Sequence, residues 1–133
     1  MFKTSLKAFT AAALAAYSFA AQANVLQPVK VADNIYALVG PVGQRDAANA
    51  GDNATFGAIV TPDGVILIDS GATKAGAELI ETALKTLTPK PVRWVINTGS
   101  QDHRWLGNAT FAAQGVKIIA MDSTVKVQQA NAA

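Results

Sequence analysis

The 133-residue sequence contains no cysteine and only one histidine, His103. The first absence excludes a disulfide framework and a lipid-attachment cysteine. It fits an oxidising compartment without requiring one. The second leaves any metal site poor in imidazole, the donor that zinc enzymes use most. No apolar run is long enough to span a membrane comfortably; "AFTAAALAAYSFA", residues 8–20, falls short of the ~20 residues a span needs. Excess charge of one sign is missing too, once the start of the chain is set aside. Removing Lys3 and Lys7 from the 11 basic residues leaves nine, equal to the nine acidic ones. No basic stripe remains to bind nucleic acid or an anionic membrane surface.

What is present begins with an export pattern. A short basic start, the apolar run and the small-x-small "AQA" at residues 21–23 follow one another in the order of a cleaved signal peptide. An amphipathic helix or a retained anchor is the plainer alternative. Residues 1–23 are therefore expected to be a leader, and 24–133 a soluble domain, periplasmic or secreted.

Past the leader the pattern is α/β. "VKVADNIYALVG" mixes alternation with β-formers and predicts one strand or two short ones. "GPVGQRDAANAGDN", residues 40–53, lacks apolar periodicity and predicts a long loop, either a lid or a mobile connector. "ATFGAIVTPDGVILIDSG" reads as two strands around an Asp63-Gly64 turn, the second apolar on both faces and so central. A helix is expected over about 73–87, with Ala72, Ala75, Leu79, Ile80, Ala83, Leu84 and Leu87 inward and a Glu81–Lys85 pair outside. Pro89 and Pro91 stop it and bias Thr88 out of the helical region. "VRWVINT" predicts a further strand, "NATFAAQG" a short helix closed by Gly115, and "VKIIA" a last strand. A final helix capped by Asp122 or Ser123 fades into "QQANAA".

The residues with chemical potential cluster at strand ends. In "INTGSQDHRWLGN" the adjacent Asp102 and His103 suit a reduced metal site, an acid–base pair, or a polar pair that merely holds the turn. Gln101, Arg104 and Trp105 suit an anionic or aromatic ligand, the guanidinium stacking on a ring; anchoring the loop to the body is the alternative. Asp69 ends a buried strand where α/β sheets place their sites. It either supports the later loop or caps the Ser70-Gly71 turn.

Four segments in this order, "NIYALVG", "NATFGAIVTPDGVILIDSG", "VRWVINT" and "GNATFAAQGVKIIA", resemble the amino-terminal half of a metallo-β-lactamase-fold hydrolase. The resemblance implies an incomplete αββα sandwich, its first half a mixed sheet with helices on one face. It implies metal-assisted hydrolysis of an ester, thioester or amide small-molecule substrate, with zinc as the cofactor. In that family the loop after "NT" reads His-x-His-x-Asp-His and holds one or two zinc ions. Without a gap those four positions fall here on Gly99, Gln101, His103 and Arg104; shifted by one, Asp102 and His103 match the final Asp-His while Thr98 and Ser100 replace the histidines. Either register leaves at most Asp102 and His103 as ligands, and Asp69 as the group that orients them. The family's remaining ligands lie in a second half that this sequence does not contain. The chain is thus expected to be truncated, its apolar sheet face exposed or covered by a second chain. Three readings stand: a hydrolase-like protein with an altered metal loop, a non-catalytic ligand-binding module, or an inactive fragment.

Overall fold

The computed structural model describes residues 26–132; the expected leader lies outside them. Six strands form one sheet in sequence order: β1 (Gln27–Ala32), β2 (Ile35–Val39), β3 (Thr55–Thr61), β4 (Gly64–Ile68), β5 (Val92–Ile96) and β6 (Lys117–Ile119). Four helical segments accompany them: α1 (Lys74–Leu87), α2 (Asp102–Trp105), α3 (Asn108–Ala112) and α4 (Asp122–Asn131).

The connections follow from local chemistry. The first strand region is a pair, turned at Asp33-Asn34, where Asn34 adopts φ +63°, a conformation its short amide side chain tolerates. β1 to β4 run antiparallel as a meander, with short turns joining β1 to β2 and β3 to β4 and the long 40–53 loop joining β2 to β3. β4, β5 and β6 are parallel, joined through helices as parallel strands must be. Thr73 caps α1, its hydroxyl accepting from the Gly76 N–H at 2.9 Å. Thr88 is extended at φ −158°, and α1 ends there ahead of the two prolines.

Alternation along each strand sorts side chains onto two faces. One ladder row, Tyr36–Ala58–Leu67–Val95–Ile118, lies on the face covered by helices. Ala77, Ile80 and Leu84 of α1 and Phe111 of α3 pack against it, and Phe56, Leu67, Val95 and Phe111 are fully buried. The inward side of α1 differs from expectation at Ala75, which is exposed, whereas Gly76 and Ala77 turn in. Glu81 accepts from Gln114 in the turn after α3, and the i,i+4 ion pair of the helix is Lys74–Glu78.

The opposite face carries the rows Ile35–Ile59–Ile66–Trp94–Lys117 and Ala37–Gly57–Ile68–Ile96–Ile119. None of these residues is fully buried, and Ile35 and Ile119 are 40% exposed. A 370 Å³ hollow lined by Ile66, Trp94, Ile96 and Ile119 lies open here. This is the bare apolar face that half a sandwich leaves.

The meander decides where loops meet. β2 is antiparallel to β3, and β3 to β4, so β2 points the same way as β4. The loop leaving β2 therefore emerges at the sheet end where β4, β5 and β6 finish. There the β5–α3 connection closes tightly over the turn after β4: Gly107 N–H donates to the Gly71 carbonyl at 2.9 Å. A Cβ at 107 would overlap the Ser70 carbonyl oxygen. Gly107→Ala should lower unfolding stability by roughly 2–4 kcal/mol, since only backbone movement relieves the overlap; urea titration of the purified domain measures it.

Candidate functional site

Asp69, at the end of β4, takes the left-handed conformation, φ +63°. That bend turns its carboxylate, 6% exposed as a residue, toward the end of β5. It accepts from the Thr98 N–H at 2.8 Å and the Thr98 hydroxyl at 2.7 Å. Arg104 Nη1 reaches it at 3.3 Å and also donates to the Thr98 hydroxyl. Asp69 thus orients the loop's first residue rather than capping its own turn.

An amide pair holds the loop at both ends. Asn97 and Asn108 exchange hydrogen bonds, Nδ2 of Asn108 to Oδ1 of Asn97 at 2.8 Å and the reverse at 3.1 Å. Asn97 also donates to the Arg104 carbonyl at 2.7 Å, and Ser70 Oγ donates to Asn108 Oδ1 at 2.8 Å. The "NT" and "GN" that frame the loop are its clamps. Between them the chain forms the single turn α2, with Trp105 Nε1 donating to the Ser100 carbonyl at 3.1 Å. Trp105 is therefore a loop anchor in this structure. Gln101 is exposed at the start of α2 without a side-chain cap bond.

Asp102 and His103 stand side by side, as adjacent residues of α2 must. What meets them was not visible in the sequence. Arg45, from the 40–53 loop, straddles the Asp102 carboxylate: Nη2 bonds Oδ1 at 2.6 Å and Nη1 bonds Oδ2. Nη2 also lies 3.1 Å from His103 Nδ1. A guanidinium can only donate, so a hydrogen bond between them has Nδ1 as its acceptor; Asp102 Oδ1 lies 3.4 Å from the same nitrogen. The guanidinium holds the Asp102 carboxyl far below the usual carboxylate range, helped by the His103 N–H at 2.7 Å. Asp102 in turn raises the Arg45 pKa. Only one signal hinted at this: Arg45 is the sole basic residue of the 40–53 loop.

The 40–53 loop is knitted rather than slack. Asp46 and Asn49 bond reciprocally at 3.1 and 2.9 Å, and Asn53 Nδ2 donates to the Gly43 carbonyl at 2.8 Å. Its base is the buried Asp52, fully enclosed and packed where Gly76 of α1 has no Cβ. Neither Asp52 oxygen completes a hydrogen bond; the Ala72 N–H is near enough to favour the anion only in part. Burial wins, and the carboxyl is pushed up to about 6.

Zinc fits these residues poorly. A catalytic site needs three protein ligands and an open position. Among the described residues no three His, Cys, Asp or Glu side chains converge, and the two candidate donors are already bonded to Arg45. Beside them lies a cleft of 380 Å³ lined by Thr98, Ser100, Gln101, Arg104, Ser123 and Thr124, small for a ligand pocket but polar. Gln128 ties α4 to this loop by donating to the Gly99 carbonyl at 3.1 Å.

The two perturbed carboxyls act oppositely on stability. Asp102, lowered, stabilises the fold above the ordinary carboxylate range and loses that contribution as pH falls. Asp52, raised, binds its proton more tightly when folded, so its penalty grows as pH rises from about 3.8 through about 6. Asp52→Asn should therefore stabilise the chain by ~1–2 kcal/mol at pH 7.5. The gain should vanish below pH 4, as read from urea midpoints between pH 4 and 8.

No protein-family model matches this sequence, and no curated protein does. Solved structures match its fold. A metallo-beta-lactamase from Pontibacter korlensis superposes with a TM-score of 0.64 at 21% identity, over 80% of this chain and 48% of that one. The metallo-beta-lactamase FIM-1 from Pseudomonas aeruginosa, in its mono-zinc form, gives 0.65 at 18% identity over 80% and 46%. The Erythrobacter litoralis metallo-beta-lactamase gives 0.66 at 16% identity over 82% and 47%. The chain spans about half the length of the structures it matches. The described residues thus have a partial metallo-β-lactamase fold: a six-stranded mixed sheet with its helices, and a loop after β5 in which Asp102 and His103 face Arg45.

Proposed function

We propose that this chain is an exported, non-catalytic ligand-binding module on half of a metallo-β-lactamase fold. One contrast carries the reading. The two donors of the metal loop are engaged by Arg45, while the polar cleft alongside remains open. Hydroxyls of Ser100, Ser123 and Thr124, the Gln101 amide and the Arg104 guanidinium favour a small polar ligand with an anionic group. Arg104 also keeps a buried Nε–H with no partner.

Metal-assisted hydrolysis of an ester, thioester or amide is the competing reading, and the bare sheet face is what favours it. A further segment or a second chain laid over Ile35, Ile59, Ile66 and Trp94 could bring the remaining ligands. Asp102 and His103 would then be the ligands contributed here, with Asp69 as their support, but only after release from Arg45.

Thermal unfolding with a strong chelator present separates the two. Small carboxylates or phosphorylated compounds should raise the midpoint, and Gln101→Ala with Ser123→Ala should abolish the rise. Zinc, manganese or iron in the purified chain at one equivalent, with chelator-sensitive ester or thioester hydrolysis, would overturn the binding-module reading.

A further inference from the structure

We infer that Arg45 is the resident cation of the Asp102–His103 turn: it holds both side chains in place of a metal ion and withholds them from one. The inference stands on the loop geometry and goes beyond any reading of the cleft. Three inward atoms of the two side chains are Oδ1 and Oδ2 of Asp102 and Nδ1 of His103. Arg45 engages all three, two through its fork and the third through the shared Nη2. A planar guanidinium matches a carboxylate edge in this way, and a lysine ammonium would not.

The arginine is itself positioned. Its Nε lies 3.4 Å from Asn53 Oδ1, and Asn53 is tied by its Nδ2 to the Gly43 carbonyl. Asn49 braces the same loop through the Gln44 carbonyl at 2.9 Å and the Gly51 N–H at 3.0 Å. Topology delivers the loop to this sheet end, so the contact joins residues 57 positions apart. A divalent ion in the relatives' position would have to displace a charge that cannot lose its proton. It would gain only two ligating residues in exchange, fewer than zinc takes in stable sites.

The test uses the mature chain and zinc or cobalt(II) alone as probes. The wild-type melting midpoint should be unmoved by ~1 mM of either metal or by a chelator, as expected when the metal has no preference for the folded state. Arg45→Met should lose amide protection in residues 40–53. It should gain a metal-dependent rise of about 5 °C, removed by adding His103→Ala. Arg45→Lys should lose loop protection without gaining the metal response, and it decides the matter if Arg45→Met does not fold. Stoichiometric metal binding by the wild type that His103→Ala abolishes would overturn the inference. So would unchanged 40–53 protection in Arg45→Lys.

Discussion

The architecture at the sheet end depends on one constraint, the amide pair between the buried Asn97 and the half-buried Asn108. Two strand ends and a helix start converge there. Asn97 satisfies the Arg104 carbonyl, and Asn108 receives the Ser70 hydroxyl while both amides bond each other. Buried amides are costly unless nearly all their donors and acceptors are used. Here they are used, and these bonds fix the two ends of the loop. That separates two roles a metal loop ordinarily combines. The shape of the turn comes from its frame, so the donors inside could change while the turn stayed closed.

Charge then follows from shape. The frame and the meander bring the 40–53 loop against α2, and a carboxylate held there needs a counter-charge. Arg45 supplies it from the surface side, where Asp102 is still about half exposed, so screening limits what the pair adds to stability. Its larger effect is on which partners Asp102 and His103 can accept. Asp52 lies at the other end of the same loop and is disfavoured as an anion by burial, with Arg45 only partly offsetting that. One end of the loop is thus most comfortable at high pH and the other at low pH. Between them the loop is held by hydrogen bonds of Asp46, Asn49 and Asn53.

Much of the fold was legible because it rests on local signals. The apolar "VILI" run, the Asp63-Gly64 turn, Thr73 and the proline pair set the strands and the main helix within a residue or two. The paired reading of the first strand region and the left-handed Gly115, φ +79°, follow from the same kind of signal. Helix phase was less secure: Ala75 and Ala77 are chemically alike, and only packing against Leu67 and Val95 selects which turns inward. The last helix begins after Met121 rather than at a capping side chain, with Asp122 inside its first turn, where a carboxylate complements the exposed N–H groups. At the site, sequence located Asp69, Asp102, His103, Arg104 and Trp105 in one small region. It could not supply Arg45, because a contact across 57 residues depends on strand direction and not on any local pattern. Nor could it tell that Asp52 is enclosed, since the residue that makes room for it, Gly76, lies in another element.

The bare sheet face bears on the same issue of what completes the domain. Its rows are almost wholly aliphatic, with Trp94 in the middle and a lysine only at one end. Strands solvated on one side ordinarily alternate apolar with polar residues, and these do not. A covering layer would bury Ile35, Ile59, Ile66, Ile68, Trp94 and Ile96, adding roughly 25 cal/mol for each Å² removed from water. It would do so without touching the Asn97–Asn108 frame, which lies at the strand ends rather than on the face. Completion of the sandwich and occupation of the turn by a cation are therefore physically separate events, and covering the face leaves Arg45 still standing between Asp102 and any metal.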